Sequence, residues 1–541
     1  MAVLTSNALE RAAFPEELGV SSARLRAYID DVLANGLELH SVMVLRHGKV
    51  AAEVWREPYA PEHPHTMYSV SKTITAIAVG FAVEEGFFNV DDKVIDFFPE
   101  QRPKRTDPHL ENLKVFNLLT MTSGKDINVF EHKAQHDWID QFFRSGWGFA
   151  PGTSWKYINE NQHILLELVR RTTGQTATAF LTSRLYEPLG FGRVPFWETS
   201  LTGTEAGGWG LFLKTEELAK IAQCLLDDGK WKGRQLIPAE WTHKMQSKLV
   251  DNTPTNEGKA DQCMGYGYCM WQNPIPNSSR MDGMFGQYAV ILRDYNAVLI
   301  TTTNEIDEPK ARSFIWKHFP GVFCKETAVK PGKSVRLFMP PLSPPISKPR
   351  CTEMEQCLAG RVYKIRRAIL NNVLVGLPLS VLTLPLTQMS AFERGNITNV
   401  RFDFAEDTCT FRWTEDGSDE NVAICGMDGI ARTGPVKIAN VPYTMNCWAV
   451  WSAENTLEVH LRPLESHNDR ILSFRFRCNG VRMTPGMTPG LPSLLHNMLE
   501  IYMLPYLPLP ALSKPGMRVI LPLLAAVSEP SLNGRCIVKP T

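Results

Sequence analysis

Apolar and polar residues follow two different periods along the first 330 residues, which predicts strands together with helices. Mostly apolar runs at 40–46 and 49–55 flank His47-Gly48, a dipeptide typical of a hairpin turn. Two similar runs come late, at 287–292 and 297–303. Helical periodicity lies between these strands, at 70–85, at about 161–173 and at 215–227. We therefore predict a mixed α/β (α+β) unit in which an antiparallel sheet is flanked by helices, with an additional helical lobe.

The pattern changes after a proline-rich segment. Residues 331–350 hold six prolines, a composition typical of a linker. Beyond it, apolar residues alternate with polar ones in several short runs, which is the period of half-buried strands. We predict a first domain over 1–330, the linker, and a small antiparallel β domain over 351–485. The remaining residues, 486–541, are apolar and proline-rich, and we predict a tail that packs on its own protein, with contact to a membrane or a partner as the alternative.

Composition narrows the class of protein. With 44% hydrophobic and 21% charged residues, the 541-residue chain has the balance of a globular protein. Its net charge is zero, so no nucleic-acid partner is expected. Residues 1–18 show no secretory signal pattern, and prolines and a glycine interrupt the apolar segment 373–386, so we predict a cytoplasmic protein without a transmembrane segment. The eleven cysteines are then expected to be reduced thiols.

The tetrapeptide Ser69-Val70-Ser71-Lys72 carries the first candidate chemistry. A lysine three residues after a serine, where helical periodicity begins, places both side chains on one helical face. An amine within hydrogen-bond reach of a hydroxyl can activate a serine nucleophile. The N–H groups and positive dipole end of a helix N-terminus also favour a developing oxyanion. Ser69 and Lys72 are therefore candidates for a nucleophile and its activating amine.

Two later motifs supply the other groups that such a hydrolase requires. Tyr157 and Asn159 lie two residues apart, in a loop before a predicted helix, so both can face a cleft. Asp282-Gly283-Met284 comes shortly before a predicted strand, and a glycine at a strand edge lets a carbonyl substrate approach the backbone closely. A second proton-handling group, an orienting amide and two converging N–H donors would complete a site for acyl transfer.

The ordered motifs Ser-x-x-Lys, Tyr-x-Asn and a glycine-bearing strand resemble the serine β-lactamase and penicillin-binding superfamily. The resemblance is closer to its class C β-lactamase-like branch of esterases, D-aminopeptidases and 6-aminohexanoate-dimer hydrolases. Segments 118–124, 206–219 and 282–287 are also similar to that branch. The resemblance covers about residues 20–320 and implies a β-lactamase-like fold there. It assigns no mechanism to residues 351–541.

The resemblance implies a role for each matching residue. Ser69 would be the acylated nucleophile, and Lys72, as a neutral amine, would take its proton or balance the charge of the site. Tyr157 would be the partner acid/base, and Asn159 would orient Lys72 and the substrate. The N–H groups of Ser69 and Met284 would form the oxyanion hole. Which of Lys72 and Tyr157 is the general base stays open, because their titrations are expected to be coupled.

The third motif departs from the family pattern. Penicillin-recognising members have Lys-Thr-Gly, and many other members have His-x-Gly, where this chain has Met281-Asp282-Gly283. Asp282 would repel the carboxylate of a β-lactam, although Arg280 could compensate. Gly283, which the oxyanion geometry requires most, is retained. We therefore expect an esterase or amidase that acts on a small molecule, rather than a β-lactamase.

Two alternatives stay open. One is a β-lactamase or D-stereospecific peptidase that uses the same residues. The other is a non-catalytic binding protein that keeps the fold and uses the cleft as a receptor. No cofactor is expected, and His132 with His136 lacks the third ligand of a zinc site, so no metal is expected either. A homodimer is compatible with the sequence, and the β domain could mediate it or cover the cleft.

Overall fold

The structure is a computed structural model, which divides into two compact units, one within residues 1–340 and one within residues 341–541. The predicted linker spans this division. The structure describes residues 3–105, 107–127, 137–253, 261–324, 335–342, 346–367, 378–389, 395–416, 418–438, 441–502 and 514–538.

The first unit is built on a six-stranded antiparallel sheet that combines strands from both ends of the unit. Its two central strands, Ala297–Thr303 and Leu39–Arg46, pair with each other across 250 residues of sequence, with Leu299 opposite Val44. Both are almost entirely buried, which explains their nearly continuous apolar sequence. In spatial order the strands are Trp271–Gln272, Ser278–Gly283, Gln287–Leu292, Ala297–Thr303, Leu39–Arg46 and Lys49–Trp55.

Helices cover both faces of this sheet and form a separate lobe. Ser22–Ala34 and Glu308–Val322 pack against each other on one face, and Thr215–Leu226 packs on the other. In the lobe, Ser71–Glu84 packs against Glu160–Thr173, and most residues of both helices are buried. The remaining helices of this unit are Pro108–Asn112, Val115–Leu119, Trp138–Arg144, Ala177–Leu181 and Ala239–Met245. The predicted fold class, an antiparallel sheet flanked by helices with a helical lobe, is confirmed.

Short strands join the segments between the main helices. One of them, His65–Thr66, pairs with Leu211–Leu213 and leads directly to the Ser-x-x-Lys motif. The backbone N–H of Met67 then donates to the carbonyl of Leu211, which fixes the chain just before Ser69. The other short strands are Val3–Ser6, Lys125–Asp126, Gly146–Trp147, Phe191–Arg193, Phe196–Trp197, Lys230–Trp231 and Arg234–Gln235.

The second unit is a ten-stranded sheet that closes on itself. Neighbouring strands are antiparallel, and a parallel pairing of Gly426 with Trp448 joins the first strand of the order to the last but one, which closes the sheet. Alternating aromatic residues fill the interior, with the rings of Phe402 and Phe474 4.9 Å apart. In spatial order the strands are Asn421–Gly426, Thr408–Glu415, Ile397–Phe404, Val362–Ile365, Leu532–Val538, Gly480–Thr488, Asp469–Arg477, Thr456–Pro463, Val441–Ala453 and Arg432–Ile438.

The C-terminal residues differ from the predicted tail. The expected boundary at 485 falls inside the strand Gly480–Thr488, and Leu532–Val538 pairs on both sides with other strands of the sheet. These residues therefore belong to the sheet rather than to a tail packed on it. The pairing joins Leu532–Val538 to Val362–Ile365, far away in sequence, so local composition gave no sign of it. The helices of this unit are Thr352–Leu358, Leu384–Met389, Leu491–Tyr502 and Lys514–Ser528.

Membrane insertion can be assessed for the helices that the structure describes. None of them combines the length and the hydropathy that crossing a bilayer requires.

Candidate active site

Ser69 and Lys72 are brought together by a tight turn that runs into a helix. Tyr68–Val70 forms a 3₁₀ turn, and the helix Ser71–Glu84 follows directly. The Nζ of Lys72 lies 2.7 Å from the Oγ of Ser69, within hydrogen-bond distance. Ser69 is half-buried, whereas Lys72 is only 1% exposed. A half-buried hydroxyl is therefore bonded to a fully buried amine.

The environment of Lys72 favours the neutral amine. Burial lowers the pKa of Lys72 from its ordinary value to about 7, against smaller opposing effects of Cys269, Glu160 and Asp282. The second hydrogen bond of Nζ goes to the carbonyl oxygen of Gly208, at 2.6 Å. Both bonded partners are uncharged, so neither neutralises an ammonium ion. Near neutral pH a large fraction of Lys72 is consequently able to accept a proton.

Gly208 reaches Lys72 because the backbone around it packs closely against the start of the helix Glu160–Thr173. A Cβ atom on Gly208 would lie 2.6 Å from the carbonyl oxygen of Asn159. Any larger residue would displace this segment and with it the carbonyl that Lys72 contacts. On the same side of the Ser71–Glu84 helix, Thr75 Oγ1 donates to the carbonyl of Gly207 at 2.9 Å. Asn159 thus borders the site through its backbone.

Tyr157 lies over the amine of Lys72. The Nζ of Lys72 is 4.8 Å from the centroid of the Tyr157 ring. The opposite side of the site is aromatic, since the ring of Tyr157 stacks on Trp271 at 5.6 Å and contacts Trp155 at 6.1 Å. Trp155, Trp271 and Tyr266 form a buried aromatic cluster behind Tyr157. Apolar walls of this kind reduce the local polarity, which is the cause of the lowered pKa of Lys72.

A hairpin turn completes the surroundings of Ser69. The strands Ser278–Gly283 and Gln287–Leu292 are joined by Met284, Phe285 and Gly286. A Cβ on Gly283 would lie 2.4 Å from the carbonyl oxygen of Met67, so this strand edge packs directly on the backbone that precedes Ser69. Gly283 is thus needed for the close approach, and Met284 follows it as a half-buried residue.

Two bulky residues, one next to Ser69 and one next to Met284, have left-handed backbone conformations. Tyr68, just before Ser69, has φ of 46°, and Phe285, just after Met284, has φ of 64°. Their buried rings contact each other edge to face, with centroids 5.2 Å apart. Such backbone conformations cost roughly 1–3 kcal/mol each and persist where the surroundings impose them. The packing of the two rings holds the Ser69 turn and the hairpin turn in one arrangement.

Asp282 is occupied by an ion pair. The Nε of Arg280 donates to the carboxylate of Asp282 at 2.7 Å, and Nη1 of Arg312 lies 3.6 Å from it. Both arginine side chains are fully buried. Arg312 also bonds to the carboxylates of Asp261 and Glu308. The compensation of Asp282 by Arg280 that the sequence suggested is thus present, within a larger buried network of charges.

The structure brings together most of the residues that sequence analysis selected. Ser69, Lys72 and Tyr157 lie side by side, and Gly283 with Met284 borders the turn that carries Ser69. Their catalytic roles, and those of Asn159 and Asp282, stay predictions. Several residues that support the site were not predicted from the sequence, namely Gly208, Tyr68, Phe285, Trp271, Arg312 and Glu308. The glycine pair at 207–208 was the one signal available for these.

The part of the chain that the structure describes contains no group of three or more His, Cys, Asp or Glu side chains placed to hold a metal ion. His132 and His136, the pair considered in the sequence, lie outside the described residues.

Similar known proteins identify the family of the chain. The family model described as Beta-lactamase matches residues 25–317, which is more than half of the chain. The chain therefore belongs to the β-lactamase family, a group within the serine β-lactamase and penicillin-binding superfamily that the motifs resembled. Proteins named as an esterase, a 6-aminohexanoate-dimer hydrolase and a D-aminopeptidase are among its relatives, and a hydrolase activity fits this membership.

The chain spans between half and two thirds of the length of two of its curated relatives. The chain is 24% identical over 235 residues to the 6-aminohexanoate-dimer hydrolase of Paenarthrobacter ureafaciens, which covers 40% of this chain and 59% of that protein. It is 28% identical over 214 residues to the esterase EstB of Burkholderia gladioli, covering 35% and 54% respectively. A penicillin-binding protein homologue from Pyrococcus abyssi superposes with a TM-score of 0.43 and 14% identity, covering 85% of this chain and 97% of that one.

Proposed function

We propose that this protein is a serine hydrolase that cleaves a small ester or amide through an acyl-enzyme on Ser69. The observation that carries the proposal is the 2.7 Å contact between Ser69 Oγ and Lys72 Nζ, an amine whose pKa burial lowers to about 7. A serine hydroxyl is a weak nucleophile, and an adjacent neutral amine is a recognised way to activate it. The relatives named as esterase and 6-aminohexanoate-dimer hydrolase support this reaction class.

The proposed reaction uses the groups in sequence. As Oγ of Ser69 attacks the carbonyl carbon, its proton passes to Lys72 or through it to Tyr157. The oxyanion accepts hydrogen bonds from the N–H groups of Ser69 and Met284. The leaving alcohol or amine takes the proton, and water then attacks the acyl-serine ester with the same groups acting in reverse. Asn159 orients the substrate beside Lys72 in this scheme.

Active-site labelling tests the proposal. A fluorophosphonate probe should form an adduct that peptide mass spectrometry maps to Ser69. Ser69→Ala and Lys72→Ala should abolish the adduct. Ser71→Ala is a matched control, because the Ser71 hydroxyl accepts from the N–H of Leu211 rather than contacting Lys72, and its adduct should remain. An unlabelled wild-type protein would favour the non-catalytic binding protein instead.

Substrate comparison separates the enzymatic alternatives. Short p-nitrophenyl esters should be hydrolysed with a higher kcat/KM than a chromogenic cephalosporin or D-amino-acid amides. The reason is that Asp282 stands where a cationic or hydroxyl group would grip a β-lactam carboxylate, and Arg280 beside it is already engaged. If the cephalosporin were the best substrate, the chain would be a β-lactamase. If the D-amino-acid amides were best, it would be a D-stereospecific peptidase.

A further inference from the structure

The hairpin turn beside Ser69 is held by a carboxylate that comes from a distant helix. Glu308 is the first residue of the helix Glu308–Val322, and its Oε1 accepts from the backbone N–H of Phe285 at 3.1 Å. Glu308 is buried, with 8% of its surface exposed. Burial of a carboxylate is costly unless it is hydrogen-bonded, so this bond helps to compensate for the burial of Glu308.

The peptide between Met284 and Phe285 is fixed at both ends. Glu308 binds its N–H, and the side-chain amide of Gln287 donates to its carbonyl, the oxygen of Met284, at 3.2 Å. The next carbonyl, that of Phe285, accepts from Gln287 at 3.1 Å and from the N–H of Glu305 at 3.1 Å. The turn is therefore determined by side chains as well as by the strands that it joins.

These hydrogen bonds hold a residue whose backbone conformation is strained. Phe285 has φ of 64°, and rotation of the Met284–Phe285 peptide would return it toward an ordinary conformation. The same rotation would exchange the directions of an N–H donor and a carbonyl acceptor next to Met284. A carbonyl turned toward an oxyanion repels it, whereas the N–H of Met284 is proposed to bind it. The hydrogen bond from Phe285 to Glu308 opposes this rotation.

Glu308 is itself positioned by the buried charges. Nη1 of Arg312 lies 3.4 Å from Oε2 of Glu308 and 3.6 Å from Asp282, so a single guanidinium contacts the carboxylate that holds the turn and a carboxylate of the strand before it. The hydroxyl of Tyr288 accepts from the same Nη1 at 3.1 Å. Arg312 thus keeps one carboxylate oxygen of Glu308 occupied and leaves Oε1 directed at Phe285.

We infer that Glu308 is a positioning residue for the reaction, which acts by holding the Met284–Phe285 peptide so that the hairpin presents its N–H donor to the oxyanion. The inference rests on the proposed function. Glu308 contacts neither Ser69 nor the substrate in this scheme, and its effect is transmitted through one backbone hydrogen bond. It should therefore change kcat, where the oxyanion forms, and leave KM nearly unchanged.

Two conservative substitutions of Glu308 distinguish the effect of its side-chain length from the effect of its charge. Glu308→Asp keeps the negative charge opposite Arg312 but is one methylene too short for Phe285. Glu308→Gln keeps a carbonyl oxygen that can accept from Phe285 but loses the charge. Glu308→Asp should lower kcat for a short p-nitrophenyl ester about 30-fold, and it should lower the rate of fluorophosphonate labelling by a similar factor. Its KM should stay within about twofold of the wild-type value. Glu308→Gln should stay within threefold of wild type in both rates, although its melting temperature should fall.

A control substitution measures what destabilising the start of the helix Glu308–Val322 does by itself. Asp307→Ala removes the N-cap hydrogen bond to the N–H of Lys310 on the same helix, which should lower the melting temperature without changing kcat. Equal rates for Glu308→Asp and wild type would overturn the inference, as would a Glu308→Gln variant as slow as Glu308→Asp. A wild-type protein that is not labelled at Ser69 would overturn the proposed function, and this inference with it, so the two failures are distinguishable.

Discussion

The two units of the molecule differ in how many of their described residues have a strained backbone conformation. Among the described residues, nine non-glycine residues have a clearly positive φ, and all nine belong to the first unit. Four of them surround the candidate site, namely Tyr68, Met121, Cys269 and Phe285. Met121 accepts from the loop of Tyr157, and the carbonyl of Cys269 accepts from Thr73 of the Ser71–Glu84 helix. The second unit has a regular closed sheet without such residues in its described part.

The units also differ in their buried cations. In the second unit, Arg470 donates to Glu529 at 2.6 Å, and Arg462 donates to Asp469 at 2.5 Å. In the first unit Arg280 and Arg312 are likewise paired with carboxylates, but the buried Lys72 is bonded to a hydroxyl and a carbonyl. A buried cation with a carboxylate partner stays charged, whereas a buried amine without one becomes a base near neutral pH. A strained backbone and a buried amine without a carboxylate partner both cost stability, and both occur where the reaction is proposed.

The largest expected effect comes from Lys72→Met, which replaces the amine by an apolar side chain of similar length. The kcat/KM for a p-nitrophenyl ester should fall by about 10⁴, because the proton of Ser69 loses its acceptor. Lys220→Met is a matched control, since Lys220 is also buried and donates to the carbonyl of Gly190. Its kcat/KM should be unchanged. Activity in Lys72→Met within tenfold of wild type would contradict the role of Lys72.

The same substitution should stabilise the protein. The pKa of Lys72 lies below its ordinary value in the folded chain, so between pH 7 and the ordinary lysine value of about 10.5 the unfolded chain binds more protons. Lys72 therefore costs most stability below pH 7 and progressively less as the pH rises. Urea denaturation at pH 7 should show a gain of about 2 kcal/mol for Lys72→Met, and the gain should shrink by pH 10. A loss at pH 7 would show that its two hydrogen bonds outweigh the cost of burial.

Tyr157→Phe should lower kcat/KM by about 10³, because the leaving group loses its proton donor. The ring stack on Trp271 and the contact with Lys72 do not require the hydroxyl, so the melting temperature should change little. The reverse pattern, a lower melting temperature with kcat/KM within threefold of wild type, would make Tyr157 a packing residue. Phe149→Leu serves as a control for aromatic substitution in a preceding loop, and it should leave kcat/KM within twofold.

Features that depend on local interactions were predictable from the sequence. The strands at 49–55, 287–292 and 297–303 have the predicted bounds, because mostly apolar runs bounded by short turns specify them within a few residues. The proximity of Ser69 and Lys72 follows from helical spacing alone. The fold class was predictable for a different reason, since the ordered motifs resembled a family whose fold is shared.

Interactions between distant segments were not predictable from one sequence. Glu308 and Phe285 are 23 residues apart with two strands between them, and nothing in the residue types marks their hydrogen bond. Gly208 contacts Lys72 across 136 residues. The strand Leu532–Val538 lies beside a strand that begins at Val362, so its place in the sheet depends on the closed topology. Each of these features is fixed by tertiary packing rather than by local pattern.

A substitution in the second unit tests whether its ion pairs serve stability alone. Arg470→Met leaves the buried carboxylate of Glu529 without its cation, which should destabilise the second unit by about 3 kcal/mol in urea denaturation. Adding Glu529→Gln should restore part of this loss. Arg475→Met, an exposed position on the same strand, should have no measurable effect. The labelling rate of Ser69 should stay within twofold in all these variants, and a parallel fall in labelling would remove the contrast between the two units.

The smallest expected effect is the pH dependence of the wild-type protein. Because burial lowers the pKa of Lys72 to about 7, the neutral fraction of the amine, and with it kcat/KM, should rise about tenfold between pH 6 and pH 8. Burial and the charge of Asp282 also raise the pKa of Glu308 to about 7, so the two groups could titrate together. Glu308→Gln separates them, since it removes one titration and keeps the acceptor for Phe285. If Lys72 is the titrating group, the rise in kcat/KM should persist in Glu308→Gln. A flat profile in that variant would assign the titration to Glu308. The lowered pKa of Lys72 would then have no kinetic consequence.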